Sequence, residues 1–286
     1  MKRLADCHVA IVGLGLMGGS LAGALRGRCR SVTGVARRAG TVELAAVRGL
    51  IDRGTTDPND AVSEADIVIL ATPVRVILQQ IQNLAWHLAD GCLLLDLGST
   101  KTQILEAMDA LPSQVEPLGG HPMCGKEFSG IDAADPSLYR GCTFILSPLE
   151  RTAPTALTLG RELVEAVGAT PLILDAARQD RLVATLSHLP YLLACSLVQT
   201  ADATTSPDPA AWEIVAGGYR DTSRVAGSDV TMMLDILATN RHAILDAVSA
   251  FREQLDRMTA LIEDEDEGKL KAVLASCQAE RRRMFP

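Results

Sequence analysis

Hydrophobic and polar positions follow two rhythms along the first half of the chain. Runs that stay apolar without polar alternation, at residues 8–13, 31–36, 66–71, 92–96 and 143–147, predict strands buried on both faces, as in a parallel sheet. The segments between them are long enough for crossover helices, for example 18–28 and 74–89. A further helix and strand follow at 152–167 and 170–174. Strand and helix in alternation is βαβ architecture. From Asp175 no strand-like run remains and helical periodicity takes over. Ile244, Val248, Phe251, Leu255, Met258 and Ile262 step by 4, 3, 4, 3 and 4, which keeps one narrow apolar stripe on a helix. A stripe that narrow suits packing against another helix. The pattern therefore predicts an α/β chain, a Rossmann-type doubly wound sheet over 1–174 followed by an all-helical domain over 175–286. The acidic run 263–267 reads as a solvated helix end.

Composition narrows the function classes. Of 286 residues, 48% are apolar and 22% charged, a globular balance that excludes a disordered chain. The net charge of −8 argues against nucleic acid as a partner, so an anionic ligand must be met by a few placed cations. The most apolar stretch, 67–78, is short and carries Arg75, so no membrane span is expected. A basic start without an apolar signal core points to a cytoplasmic address. Seven cysteines (Cys7, Cys29, Cys92, Cys124, Cys142, Cys195 and Cys277) form no C-x-x-C pair, which reads as reduced thiols and no zinc site.

The first strand runs directly into Gly13-Leu14-Gly15-Leu16-Met17-Gly18, a G-x-G-x-x-G loop opening a helix. Its glycines permit a tight turn and let backbone N–H groups approach a pyrophosphate on the positive end of that helix. The second strand ends in Val35-Ala36-Arg37-Arg38. A carboxylate there would bind the ribose 2′-hydroxyl of NAD; two guanidinium groups suit the 2′-phosphate of NADP instead. The expected cofactor is NADP, with NAD as the alternative.

Further motifs stand where strands end or in the helical part: ADIVILATP, DLGSTK, GGHPMCG, SHLPY and GGYRDTSR. Together with GLGLMGGS, this series resembles the prephenate/arogenate dehydrogenase family of tyrosine biosynthesis, from Val9 to roughly Ala247. The resemblance implies a Rossmann domain, a helical dimerisation domain forming a homodimer, and oxidative decarboxylation of a cyclohexadienol with a nicotinamide cofactor. It also implies that hydride leaves the ring carbon bearing the hydroxyl, the hydroxyl loses a proton, and CO2 departs as the ring becomes aromatic. His121 is then the base or hydrogen-bond acceptor for that hydroxyl, being mostly neutral at cytosolic pH. Ser99 assists it or caps the helix that follows, and it also sits at the cofactor, as do Thr72 and Pro73. Lys101 reads as a first-turn surface lysine or a weaker site residue. Arg224 grips a substrate carboxylate, with Asp221 three residues earlier steadying it or serving as an N-cap. His188 is a substrate ligand or a packing histidine.

Departures from the family pattern bear on substrate. Tyr191 stands where prephenate-using members often carry a second histidine, Lys126 where threonine is common, Cys124 for alanine, and Met233 for tryptophan. The form GGYRDTSRVAG and the missing histidine at Tyr191 are closer to NADP-dependent arogenate dehydrogenases, whereas Lys126 adds a charge that counts against that reading. Losing a cationic histidine near the side chain relaxes the preference for a keto-acid. Prephenate and dual-specificity dehydrogenases are the nearest alternatives. A β-hydroxyacid dehydrogenase is more distant, since the lysine base of that group has no counterpart in 180–199; a non-catalytic dinucleotide sensor need not keep Ser99, His121 and Arg224 together. Cys124 as a nucleophile is disfavoured, because the reaction needs no covalent step. No added regulatory or mutase domain is expected.

Overall fold

The structure, a computed structural model, describes residues 2–126 and 128–285. Eight strands form one sheet: β1 (His8–Val12), β2 (Ser31–Val35), β3 (Arg53–Thr55), β4 (Ile67–Leu70), β5 (Leu93–Asp96), β6 (Glu116–Pro122), β7 (Thr143–Pro148) and β8 (Thr170–Ile173). Their order is β3-β2-β1-β4-β5-β6-β7-β8. The first six strands are parallel, and the chain reverses direction across the sheet between β1 and β4. Such a reversal opens a crevice at the carboxyl ends of the strands.

Alternation within the strands explains the double winding. Val9 and Ile11 of β1, with Ile67, Ile69, Leu93 and Leu95, face one core. That core also holds Leu21 and Leu25 of α1 (Leu16–Leu25) and Leu159 and Leu163 of a later helix. Ala10, Val12, Val68, Leu70 and Leu94 face the opposite core. After the short helices α2 (Ala39–Val47) and α3 (Pro58–Val62) comes α4 (Val74–Leu84), which buries Val74, Ile77, Ile81 and Leu84 in this second core. Helix α5 (Thr102–Asp109) adds Ile104, Leu105 and Met108. Helix α6 (Pro154–Ala166) crosses from β7 to β8.

Two strands depart from the sequence expectation. β3 is a three-residue edge, too short to leave a pattern. β6 reads Glu-Pro-Leu-Gly-Gly-His-Pro, with four residues that ordinarily break strands. Its glycines answer to packing: a Cβ on Gly120 would stand 2.4 Å from the Asp96 carbonyl oxygen, and one on Gly119 would press on Lys101 and Ser147. His121 consequently lies inside a strand, not in the loop after one. β7 runs antiparallel to β6, so the sheet is mixed where an all-parallel one was expected.

Beyond β8, every described element is helical: α7 (Ala176–Val183), a π-turn at Ala184–His188, α8 (Leu189–Thr205), α9 (Gly217–Ser223), α10 (Val230–Thr239), α11 (Arg241–Glu263) and α12 (Glu267–Met284). The chain divides into two compact units, residues 1–241 and 242–286. In the second, the acidic run is the exposed turn between α11 and α12, and Asp266 caps α12 through the Lys269 N–H at 3.0 Å. The continuous run Ala176–Thr205 is long and apolar enough by composition to cross a membrane, which the expectation of no span overlooked. It carries buried Gln179, Asp180 and His188, whose partners lie in the rest of the first unit, although most of the run is not buried.

Candidate active site

The carboxyl ends of β1, β2, β4, β5 and β6 lie side by side, and each delivers one group of the expected site residues. After β1, Gly13 adopts φ +112°, a conformation closed to residues with a side chain. A Cβ on Gly18 would stand 1.9 Å from the Gly13 carbonyl oxygen, so this glycine lets α1 start hard against the loop. Gly15 is different: a Cβ there would meet nothing within 4 Å. Gly15 is the N-cap of α1, whose first residues Leu16, Met17 and Gly18 have N–H groups without an acceptor one turn earlier. A phosphate on those N–H groups requires that cradle to stay clear, so the loop fits a dinucleotide.

Arg37 and Arg38 follow β2 and are exposed, with Arg38 at the N-cap of α2. Thr72 and Pro73 follow β4; the Thr72 hydroxyl donates to Gln80 at 2.7 Å, and Pro73 is the N-cap of α4. The buried Tyr139 hydroxyl donates to the Met17 carbonyl at 2.8 Å, tying the segment after β6 to the glycine loop.

Ser99 follows β5 and is half-buried, but it does not cap α5. That task falls to Asp180 of α7, whose two carboxylate oxygens accept from the N–H groups of Lys101 at 2.8 Å and Thr102 at 2.9 Å. The Gln179 side-chain amide reaches the Ser99 carbonyl at 3.4 Å. A carboxylate at a helix N-terminus is doubly favoured, by hydrogen bonding and by the helix dipole. Lys101 is not a surface residue. It is wholly buried and paired with Asp96, which also accepts from the N–H groups of Gly98 at 2.7 Å and Gly120 at 3.1 Å. Burial pushes the Asp96 carboxyl up and the Lys101 ammonium down, while the converging donors favour the charged pair.

His121 shares the Lys101 face of β6, two residues beyond Gly119. It is 9% exposed, and its Nδ1 is shut in without a hydrogen-bond partner among the described residues. Burial, then the Lys101 charge and His188, pull its pKa down to about 3. The imidazole is therefore neutral, with one ring nitrogen able to accept a hydrogen bond. His188 closes the π-turn and is also buried, its pKa lowered to about 4 by burial against the opposing pull of Asp180. A π-turn in a long helix often marks a functional position.

A cleft of about 460 Å³ is lined by Gly125, Lys126, Phe128 and Arg224; His121, Ser99 and His188 are not among its lining residues. Lys126 and Arg224, separated by nearly a hundred residues, thus share one cavity. Lys126 is paired with Asp135 at 2.9 Å; this contact and the Ser137 bonds hold the Asp135 carboxyl well below the usual range. Asp221 does not cap α9, whose N-cap is Ala216; its carboxylate turns back along α9 to within 3.8 Å of a Cβ position on Gly217. Tyr191 is half-buried in α8 with its hydroxyl beside Cys195 one turn on. Burial and the neighbouring Cys142 push the Cys124 thiol up to about 12, unsuited to a nucleophile.

Comparison with known proteins decides the family. A model described as prephenate dehydrogenase, nucleotide-binding domain, matches residues 21–172, and one described as prephenate dehydrogenase, dimerization domain, matches residues 175–276. The chain belongs to the prephenate/arogenate dehydrogenase family. It is 34% identical over 262 residues to the prephenate dehydrogenase of Lactococcus lactis subsp. cremoris, covering 90% of this chain and 72% of the relative. Among solved structures it resembles Synechocystis arogenate dehydrogenase, with TM-score 0.86, 32% identity and coverage of 97% and 100% of the two chains. It also resembles prephenate dehydrogenase from A. aeolicus in complex with hydroxyphenyl propionate and NAD+, with TM-score 0.91, 30% identity and coverage of 99% and 100%. This dehydrogenase is therefore an NAD(P)-dependent oxidoreductase.

The sequence motifs did not disclose Asp96, Asp180 or Asn240 as part of the buried network, nor Tyr139 as the tie to the glycine loop. Asp96 had a signal, a lone carboxylate ending an otherwise apolar strand. Asp180 and Asn240 sit in ordinary helical surroundings and acquire their partners through the fold.

Proposed function

We propose that this dehydrogenase converts L-arogenate to L-tyrosine by oxidative decarboxylation with NADP, and that it works as a cytoplasmic homodimer. The observation carrying the chemistry is a buried, neutral His121 at the carboxyl end of β6, beside the strand ends that carry the cofactor loop and Ser99. When bound, NADP supplies the hydride acceptor. Gly13, Gly15, Leu16, Met17 and Gly18 hold its pyrophosphate, Arg37 and Arg38 its 2′-phosphate, and Thr72, Pro73 and Ser99 line its path toward the substrate. His121 takes the proton of the ring hydroxyl on Nε2, the ring nitrogen the protein does not shut in, while Ser99 steers that hydroxyl. Arg224 grips a carboxylate as a planar fork. His188, Tyr191 and Lys126 complete the substrate side, with Asp221 one turn before Arg224.

Two features support arogenate. Tyr191 brings no cation to the side-chain end of the substrate, and the charge of Lys126 is matched by Asp135. An ion pair suits the zwitterionic side chain of arogenate better than the single negative charge of a keto-acid. NADP is supported by two exposed arginines after β2 and by the absence of a carboxylate in that turn. The second reading, prephenate with NAD, draws on the similarity to the Lactococcus lactis prephenate dehydrogenase and to the A. aeolicus enzyme in complex with NAD+. For the dimer, apolar residues stay exposed on the Ala176–Thr205 run, including Leu182, Leu186 and Val198, and on α11, including Leu255 and Ile262.

Steady-state kcat/KM for each pairing of arogenate or prephenate with NADP or NAD, followed by absorbance of the reduced nicotinamide, tests the assignment. The arogenate–NADP pair is expected to be the highest. A higher value with prephenate overturns the substrate, and one with NAD overturns the cofactor. Light scattering at assay concentration is expected to return twice the chain mass of 30.4 kDa.

A further inference from the structure

Asn240 follows α10 at its C-cap and is 6% exposed. Its Nδ2 donates to the backbone carbonyl of Asp180 at 2.8 Å. A backbone carbonyl can accept but not donate, so this contact fixes which end of the Asn240 amide is the NH2. The same nitrogen lies 3.3 Å from Nδ1 of His188, which is 1% exposed. An NH2 group has hydrogens to give and no lone pair to receive, so Nδ1 must be the acceptor. A neutral imidazole accepting at Nδ1 carries its proton on Nε2.

We propose that Asn240 is a positioning residue that locks His188 in its neutral Nε2–H tautomer, so that His188 offers one directed N–H donor to an anionic group of the substrate. The inference rests on the assignment of His188 to the substrate side.

The surroundings of His188 agree with it. Asp180, on the preceding helix, commits both carboxylate oxygens to the N-terminus of α5. On the sheet side Lys101 is a cation paired with Asp96 and has no lone pair to offer, and neutral His121 brings no negative charge toward the ring. A second proton on His188 would sit on Nδ1 and meet the Asn240 NH2 donor to donor. His188 thus contributes direction rather than charge, and the cationic side chains on the substrate side are Arg224 and Lys126.

Two-bond 15N–1H correlation NMR on protein labelled at its five histidines, with His188 assigned by its loss in His188→Gln, reads the tautomer without perturbing the site. The expected pattern at neutral pH is Nε2–H; an Nδ1–H or imidazolium pattern overturns the inference. Asn240→Asp is nearly isosteric and replaces the donor with an acceptor. It is expected to move the proton to Nδ1 and raise KM for arogenate about tenfold, with kcat within about threefold and NADP affinity unchanged. His188→Gln and His188→Asn guard against a folding defect in that variant, because Gln places an NH2 near the Nε2 position and Asn near Nδ1. Gln is expected to keep KM within about threefold while Asn raises it about tenfold. Equal losses overturn the tautomer role and leave the contact standing. If neither change alters KM, His188 is not a substrate contact, and the functional assignment of that residue fails whatever the tautomer.

Discussion

Replacing His121 with Asn tests the burial of the base without reference to turnover. The unfolded imidazole titrates near 6.5, whereas the folded one titrates at about 3, chiefly because the site strips its water. The folded state therefore binds fewer protons than the unfolded state between these values, and stability falls as pH falls. The stabilisation is fully present above 6.5 and is lost progressively as pH drops toward 3. At about pH 5 the unfolded state has gained roughly 1.5 pH units of protonation free energy, about 2 kcal/mol at 1.36 kcal/mol per unit. The neutral Asn side chain has no such term. Denaturant unfolding at about pH 7.5 and about pH 5 should then show His121→Asn losing about 2 kcal/mol less than the wild type on acidification. His188, with its pKa lowered to about 4, adds a similar contribution by the same sign, and the double variant should be flatter still. Equal acid losses in the wild type and His121→Asn would refute a buried, neutral His121 and with it the poise of the base.

Other outcomes follow from the network around it. Lys101→Met strands the Asp96 carboxylate in the core and should cost about 3–5 kcal/mol in thermal or denaturant unfolding. Adding Asp96→Asn should recover most of that loss, and a single variant as stable as wild type would contradict a charged pair. Gly18→Ala drives a Cβ into the Gly13 carbonyl oxygen and should weaken NADP binding at least about tenfold by fluorescence titration; an unchanged Kd would remove the loop from the cofactor site. Changing Arg37 and Arg38 together to Ala should lower kcat/KM for NADP about a hundredfold while sparing NAD, and equal effects on both would remove the 2′-phosphate contact.

Much of this molecule was legible in the chain because its chemistry is local. Strand, glycine loop and helix follow one another within thirty residues, and alternate residues of β1 and β4 pack into opposite cores as uninterrupted apolar runs foretell. β6 was hidden because its strand-breaking residues answer to neighbours from other strands, Asp96 beneath Gly120 and Lys101 across Gly119. Lys101 looked like a surface residue because its counter-charge lies in the preceding strand, where a lone aspartate passes for a strand end. Proximity offers Ser99 as one candidate cap of α5, yet the fold supplies Asp180 from a helix almost eighty residues away. Asn240 shows the same limit: nothing beside it in sequence distinguishes it from an ordinary helix C-cap, and its partners converge only in three dimensions.

The account stands most directly on turnover by His121→Asn with arogenate and NADP. A positioned general base contributes about 10² or more, so kcat should fall by at least that factor while KM stays within a few-fold of the wild type. An unchanged kcat would contradict the proposal that this buried imidazole receives the proton.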